Sequence, residues 1–186
     1  DGAFQDCTSL TSMVLPDSVT RIGNWAFLRC SSLVSMVMPD KAEFSEFLFG
    51  GCSSLTSVVF PNSLTVLSKA AFHECTSLTS VVLPDILTQL CDHAFQDCTS
   101  LTSIVLPDSL LQIGNGAFVG CTSLTSVVLP DSAELGDEVF LECNALVQKA
   151  ALAGFDTVKP YLRDRYKSVT QKKLVLRLLR KYNKAV

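Results

Sequence analysis

Seven phenylalanines, Phe4, Phe27, Phe49, Phe72, Phe95, Phe118 and Phe140, stand 22 or 23 residues apart, and each is followed three residues later by a cysteine. That double periodicity constrains the fold more than any other feature of the chain. A unit of this length holds one turn of chain with several short segments, too little to bury its own apolar side chains. It becomes stable only when identical units stack and share a core. With 48% hydrophobic and 18% charged residues over 186 positions, the composition supplies such a core.

The segment after each cysteine shows how a unit is built. It reads Cys-x-x-Leu-x-x-φ-x-φ-Pro, φ being apolar, in CTSLTSMVLP (7–16), CSSLVSMVMP (30–39), CSSLTSVVFP (52–61), CTSLTSVVLP (75–84 and 121–130) and CTSLTSIVLP (98–107). Alternation predicts a strand in which Val81 and Leu83 point inward while Ser80 and Val82 point out, with Leu78 entering the core just before it. Pro84 lacks the N–H that a ladder needs, and Asp85 opens a turn. A second apolar pair, Leu87 and Leu90 or Val19 and Ile22, predicts another short extended segment on a different side of the coil. Two units lose one residue just after the proline, between Pro39 and Cys52 and between Pro130 and Cys143, as a loop outside the core tolerates. The seventh copy, CNALVQKAAL from Cys143, starts correctly and then decays.

The fold class expected is therefore a leucine-rich-repeat solenoid over residues 1–153, with about six full coils and a degenerate seventh. Its stacked coils carry a parallel β-sheet on one face, and a helical C-terminal tail follows over 154–186. The cysteines Cys7, Cys30, Cys52, Cys75, Cys98, Cys121 and Cys143 keep the repeat phase, and only Cys91 stands outside it. Parallel strands lie about 4.8 Å apart, which brings successive cysteines near bridging range, but equivalent side chains point the same way. They read as a reduced, buried structural ladder with weak S–H hydrogen bonds to turn backbone, rather than as disulfides or metal ligands.

These motifs resemble the BspA-like leucine-rich repeats, whose usual unit is Leu-x-x-Ile-x-Ile-Pro-x-x-φ-x-x-Ile-Gly-x-x-Ala-Phe-x-x-Cys. The resemblance runs from Gly2 to about Leu146. It implies a curved right-handed solenoid, a protein-binding or adhesive role typical of bacterial surface proteins, and no catalytic residues or cofactor. Ser68 and Cys91 stand where the pattern has Gly, Phe47 departs from it in a short coil, and nothing after Ala153 matches.

Charge is divided unevenly. Residues 1–158 carry 5 Lys and Arg against 17 Asp and Glu, while residues 159–186 carry 10 against the single Asp164. An acidic body repels phosphates, which argues against nucleic acid as a partner. Pro160 predicts a helix through about Tyr166, and Ser168 or Thr170 caps a second over about 171–183. There Leu174, Val175, Leu178, Leu179 and Tyr182 share a face, and Leu176 stays exposed among Lys172, Lys173, Arg177, Arg180, Lys181 and Lys184. This tail reads as a cap over the open end of the solenoid, as a partner-docking helix, or as a membrane-surface or calmodulin-like target helix.

The outward strand positions give a second candidate surface, a column of Ser12, Ser35, Ser57, Ser80, Ser103 and Ser126 beside one of Val14, Val37, Val59, Val82, Val105 and Val128. An uncharged ribbon on a solvent face suits docking. His73 and His93 are the only histidines. Cys91-Asp92-His93 with Glu74 one coil earlier lacks a recognised zinc spacing, so these read as surface or turn positions. No run reaches the roughly 18 apolar residues of a membrane span. The chain lacks an initiator Met and starts inside a repeat, which reads as a mature, processed or partial chain. The expected function is non-catalytic: an interaction or scaffolding module, peripheral or linking in a multi-subunit assembly, with cell-surface adhesion as the alternative.

Overall fold

Short extended segments between prolines and turns stack coil upon coil. The computed structural model describes residues 1–165. In chain order the strands are β1 (Ser12–Val14), β2 (Arg21–Ile22), β3 (Ser35–Val37), β4 (Glu43–Phe44), β5 (Ser57–Val59), β6 (Val66–Leu67), β7 (Gln89–Leu90), β8 (Ser103–Val105), β9 (Gln112–Ile113), β10 (Ser126–Val128) and β11 (Glu134–Leu135). Two helices follow, α1 (Asn144–Leu152) and α2 (Val158–Arg165). Every pairing among them is parallel and in repeat register, as in Ser12↔Ser35↔Ser57 and Gln89↔Gln112.

The first side of the stack carries β1-β3-β5 and β8-β10, and the second carries β2-β4 and β6-β7-β9-β11. The expected face is thus a parallel sheet, but it is divided: residues 80–82 form no strand between β5 and β8. The second extended segment lies where the Leu87 and Leu90 pair placed it, and both leucines are fully buried.

The third side holds the Phe and Cys columns. From Phe4 to Phe140 the rings stack in sequence with centroids 5.3–5.7 Å apart, and Phe49, Phe72, Phe95 and Phe118 are fully buried. Backbone N–H groups on this side donate to the next coil, Phe72 to Ala94 O and Glu74 to Gln96 O among them. Aiming them there takes two left-handed residues in every coil. The first column is Gly2, Trp25, Phe47, Ala70, His93, Gly116 and Glu138; the second is Asp6, Arg29, Gly51, Glu74, Asp97, Gly120 and Glu142, all with φ between +51° and +70°. A side chain in this conformation costs roughly 1–2 kcal/mol, which glycine avoids. At Gly116, where an added Cβ would also lie 2.7 Å from His93 Nδ1, Gly116→Ala is expected to lower stability by about 1–2 kcal/mol. Exposed Glu138→Gly is expected to move the urea midpoint the other way.

The seventh copy decays because it turns helical: α1 begins at Asn144, directly after Cys143. Leu146 and Ala150 of α1 and Val158, Tyr161 and Leu162 of α2 join the single core that runs back to Ile22. Pro160 lies in the first turn of α2, where its missing N–H has no intrahelical partner to lose. The second expected helix, over about 171–183, lies outside the described residues.

Candidate functional site

On the divided sheet face the serines and valines alternate with the buried residues of the core. Met36, Val58, Val81, Ile104 and Val127 point inward, at most 7% exposed. The valine column then falls steadily in exposure along the stack: Val14 92%, Val37 63%, Val59 58% and Val82 51%, with Val105 half-buried. Val128 is a correction to the sequence expectation, since it is fully buried and offers no contact surface. The C-terminal helices account for it. Lys149 Nζ of α1 donates to Thr125 O at 3.3 Å and Arg163 Nη2 of α2 to Ala133 O at 3.4 Å, on either side of β10 along the chain. The accessible ribbon therefore runs from Val14 to Val82, beside Ser12 and Ser35, with no charged side chain among its strand positions. Such a strip offers a partner apolar area without the cost of desolvating a charge.

The other candidate residues, Lys172, Lys173, Leu176, Arg177, Arg180, Lys181 and Lys184, lie outside the described residues. Among the described residues no helix is long and apolar enough to cross a membrane.

In the cysteine column each thiol after Cys7 donates to the phenylalanine carbonyl of the preceding coil: Cys30 to Phe4 at 3.0 Å, Cys75 to Phe49 at 3.1 Å, Cys143 to Phe118 at 3.0 Å. Cys30, Cys52, Cys75, Cys98, Cys121 and Cys143 are buried, whereas Cys7 is exposed and Cys91 half-buried. Burial is the main cause that raises the buried thiols, pushing Cys52 and Cys143 up to about 12 from an ordinary 9.0. The neighbouring Cys30 thiol adds to the shift at Cys52, and a hydrogen bond from the Cys30 backbone to the sulfur opposes it. A protonated thiol is neither a good nucleophile nor a metal ligand. At pH 8 a thiol reagent is expected to modify Cys7 and Cys91 in the native chain and all eight cysteines after denaturation. Because an unfolded thiol ionises near 9.0 while folded Cys52 and Cys143 hold their protons to about 12, their contribution to stability is complete below pH 9 and fades between pH 9 and 12. A denaturation series across that range checks the sign.

On the second sheet a shallow groove of about 470 Å³ is lined by Lys69, Gln89, Cys91, Asp92, Gln112 and Glu134. Its floor is set by close coil packing, in which Asp92 Oδ1 accepts from Asn115 N at 2.7 Å and Asn115 Oδ1 from Asp137 N at 2.8 Å. His93 sits nearby in a left-handed turn, with its buried Nδ1 unpartnered. The residues that do converge on the third side are His73, Glu74 and Asp97. Sequence reading missed Asp97, although adding one 23-residue period to Glu74 finds it.

The sequence matches the model of the BspA type leucine-rich repeat region in six copies, over residues 1–46 and 42–161. Among solved structures, a leucine-rich repeat protein from Bacteroides ovatus is 31% identical at a TM-score of 0.70, over 80% of this chain and 41% of that one. The T. pallidum leucine-rich repeat protein is 27% identical at 0.64, over 78% and 84%. A leucine-rich cell surface protein from Faecalibacterium prausnitzii is 34% identical at 0.62, over 63% and 31%. The chain thus spans less than half the length of the B. ovatus and F. prausnitzii proteins. No curated protein matches it in sequence.

Proposed function

Since the chain belongs to the BspA-type leucine-rich-repeat family, a family of protein-binding and surface-type repeat proteins, we propose that it is a non-catalytic interaction module. Its partner is a protein held on the valine ribbon. The observation that carries this reading is the solvent exposure of Val37, Val59 and Val82, which a purely structural sheet face would cover with polar side chains. The stack supplies a preorganised frame, so a partner gains contacts there without ordering a loop. The basic residues Lys172, Lys173, Arg177, Arg180, Lys181 and Lys184, with Leu176 among them, form a second contact whose positive charge suits an acidic surface. In this reading the module is a peripheral or linking part of a larger assembly.

Surface adhesion is the second reading, favoured by the likeness to the F. prausnitzii cell surface protein. Both readings use the ribbon, and both are tested by the same chain carrying Val37→Lys, Val59→Lys and Val82→Lys. The triple variant is expected to keep its fold by circular dichroism and lose the partner. Unchanged partner affinity in a folded variant removes the ribbon from the account.

A further inference from the structure

The second left-handed column juxtaposes two carboxylates. Glu74 and Asp97 occupy equivalent positions in adjacent coils, at φ +59° and +58°. The ladder bonds Glu74 N to Gln96 O and Asp97 N to Val119 O keep them in register. Elsewhere the column avoids such a clash: Asp6 faces Arg29 at 3.9 Å, and Gly51 and Gly120 separate the acidic pair from the residues beyond. Stacked like charges repel, and the side chain set against both is His73. Its Nδ1 lies 3.8 Å from Glu74 Oε1 and its Nε2 4.0 Å from Asp97 Oδ2.

We propose that His73, Glu74 and Asp97 bind a first-row divalent cation of the Zn²⁺ or Co²⁺ type on the turn face of the solenoid. One ligand atom from each residue already lies within 4.8 Å of the others. Metal–ligand bonds of about 2.0–2.2 Å require those atoms to close in somewhat further. Glu74 has the freedom to do so, its side chain being 60% exposed, and Asp97, 39% exposed, is held among the described residues only by the hydrogen bond that its Oδ2 accepts from Gln96 Nε2 at 3.2 Å. His73 is the more fixed member, 26% exposed and edge-on to the Phe47 ring at 6.4 Å. Gly120 makes room, because a Cβ there would lie 2.1 Å from Asp97 Oδ1. One imidazole nitrogen with two carboxylates is a borderline donor set that favours zinc-like cations over Mg²⁺ or Ca²⁺. Three protein ligands leave the remaining positions to water.

The test is titration of the metal-stripped full chain with CoCl₂ at pH 7.5, followed by calorimetry and by the visible spectrum of the cobalt. The expected result is one saturable site without a thiolate-to-cobalt charge-transfer band. His73→Gln and Asp97→Asn are each expected to weaken it at least ~10-fold, since losing even an outer partner of a metal ligand commonly costs that much. Glu74→Gln, on the most exposed of the three side chains, gives the same loss in a chain whose folding it does not touch. Cys7→Ser and Cys91→Ser leave the site intact. Absence of saturable binding, equal binding by His73→Gln, or loss of binding in Cys7→Ser overturns the proposal.

Discussion

Phe95→Ala is expected to lower the unfolding free energy by about 3–5 kcal/mol, a large share of what a small domain holds. Phe95 is fully buried, and its ring lies 5.3 Å from Phe72 and 5.5 Å from Phe118, within 6° and 2° of parallel. Removing it leaves a void in the middle of the stack. The neighbours cannot slide in, because each is fixed by its own coil: Phe72 N donates to Ala94 O, and Phe118 N to Val139 O. Phe4→Ala is the matched control. Phe4 is half-buried and stacks on one neighbour, Phe27, at 5.3 Å, so its loss is expected to cost less than about half as much. Urea unfolding followed by circular dichroism measures both. Equal losses at the two positions would contradict a continuous ring stack as the core of the solenoid.

The same residues show how far the sequence can be read. The Phe and Cys columns, the inward Leu and Val positions and the second extended segment follow from periodicity, because in a stack one coil's interior repeats the next coil's interior. Features that depend on neighbours rather than on the copy itself do not follow. Residues 75–84 and 121–130 are identical, yet Ser126–Val128 is a strand and residues 80–82 are not. Val82 is 51% exposed while its counterpart Val128 is fully buried. The second contrast reflects the helices after Cys143, whose docking no single repeat encodes. The left-handed columns were equally hidden. They hold Gly, Trp, Phe, Ala, His, Arg, Asp and Glu, so residue type gives no sign of the backbone that coil-to-coil hydrogen bonding imposes. Asp97 beside Glu74 was in principle legible from the period, but only if exposed columns are tracked as closely as buried ones.

Exposure along the ribbon carries the account from fold to function. Val37 and Val59 sit on β3 and β5 and Val82 on the coil that follows β5, all on one face and separated by single repeats. An apolar partner surface laid along the stack would bury all three together. Lysine at each position leaves the core untouched, because Met36, Val58 and Val81 face inward and stay in place. The cost falls on the complex, where an ammonium group forced into a dry contact loses its water. Each 1.4 kcal/mol lost is a factor of ten in affinity, so three such groups are expected to weaken binding at least ~100-fold. The most direct measurement is therefore the dissociation constant of the purified partner for the wild-type chain, for the Val37→Lys, Val59→Lys, Val82→Lys variant and for a chain ending at residue 165. The triple variant is expected to lose at least ~100-fold in affinity, and truncation to give a smaller, salt-sensitive loss. A triple variant that binds like wild type, with affinity abolished by truncation alone, would contradict a partner held on the ribbon and place recognition in the basic tail.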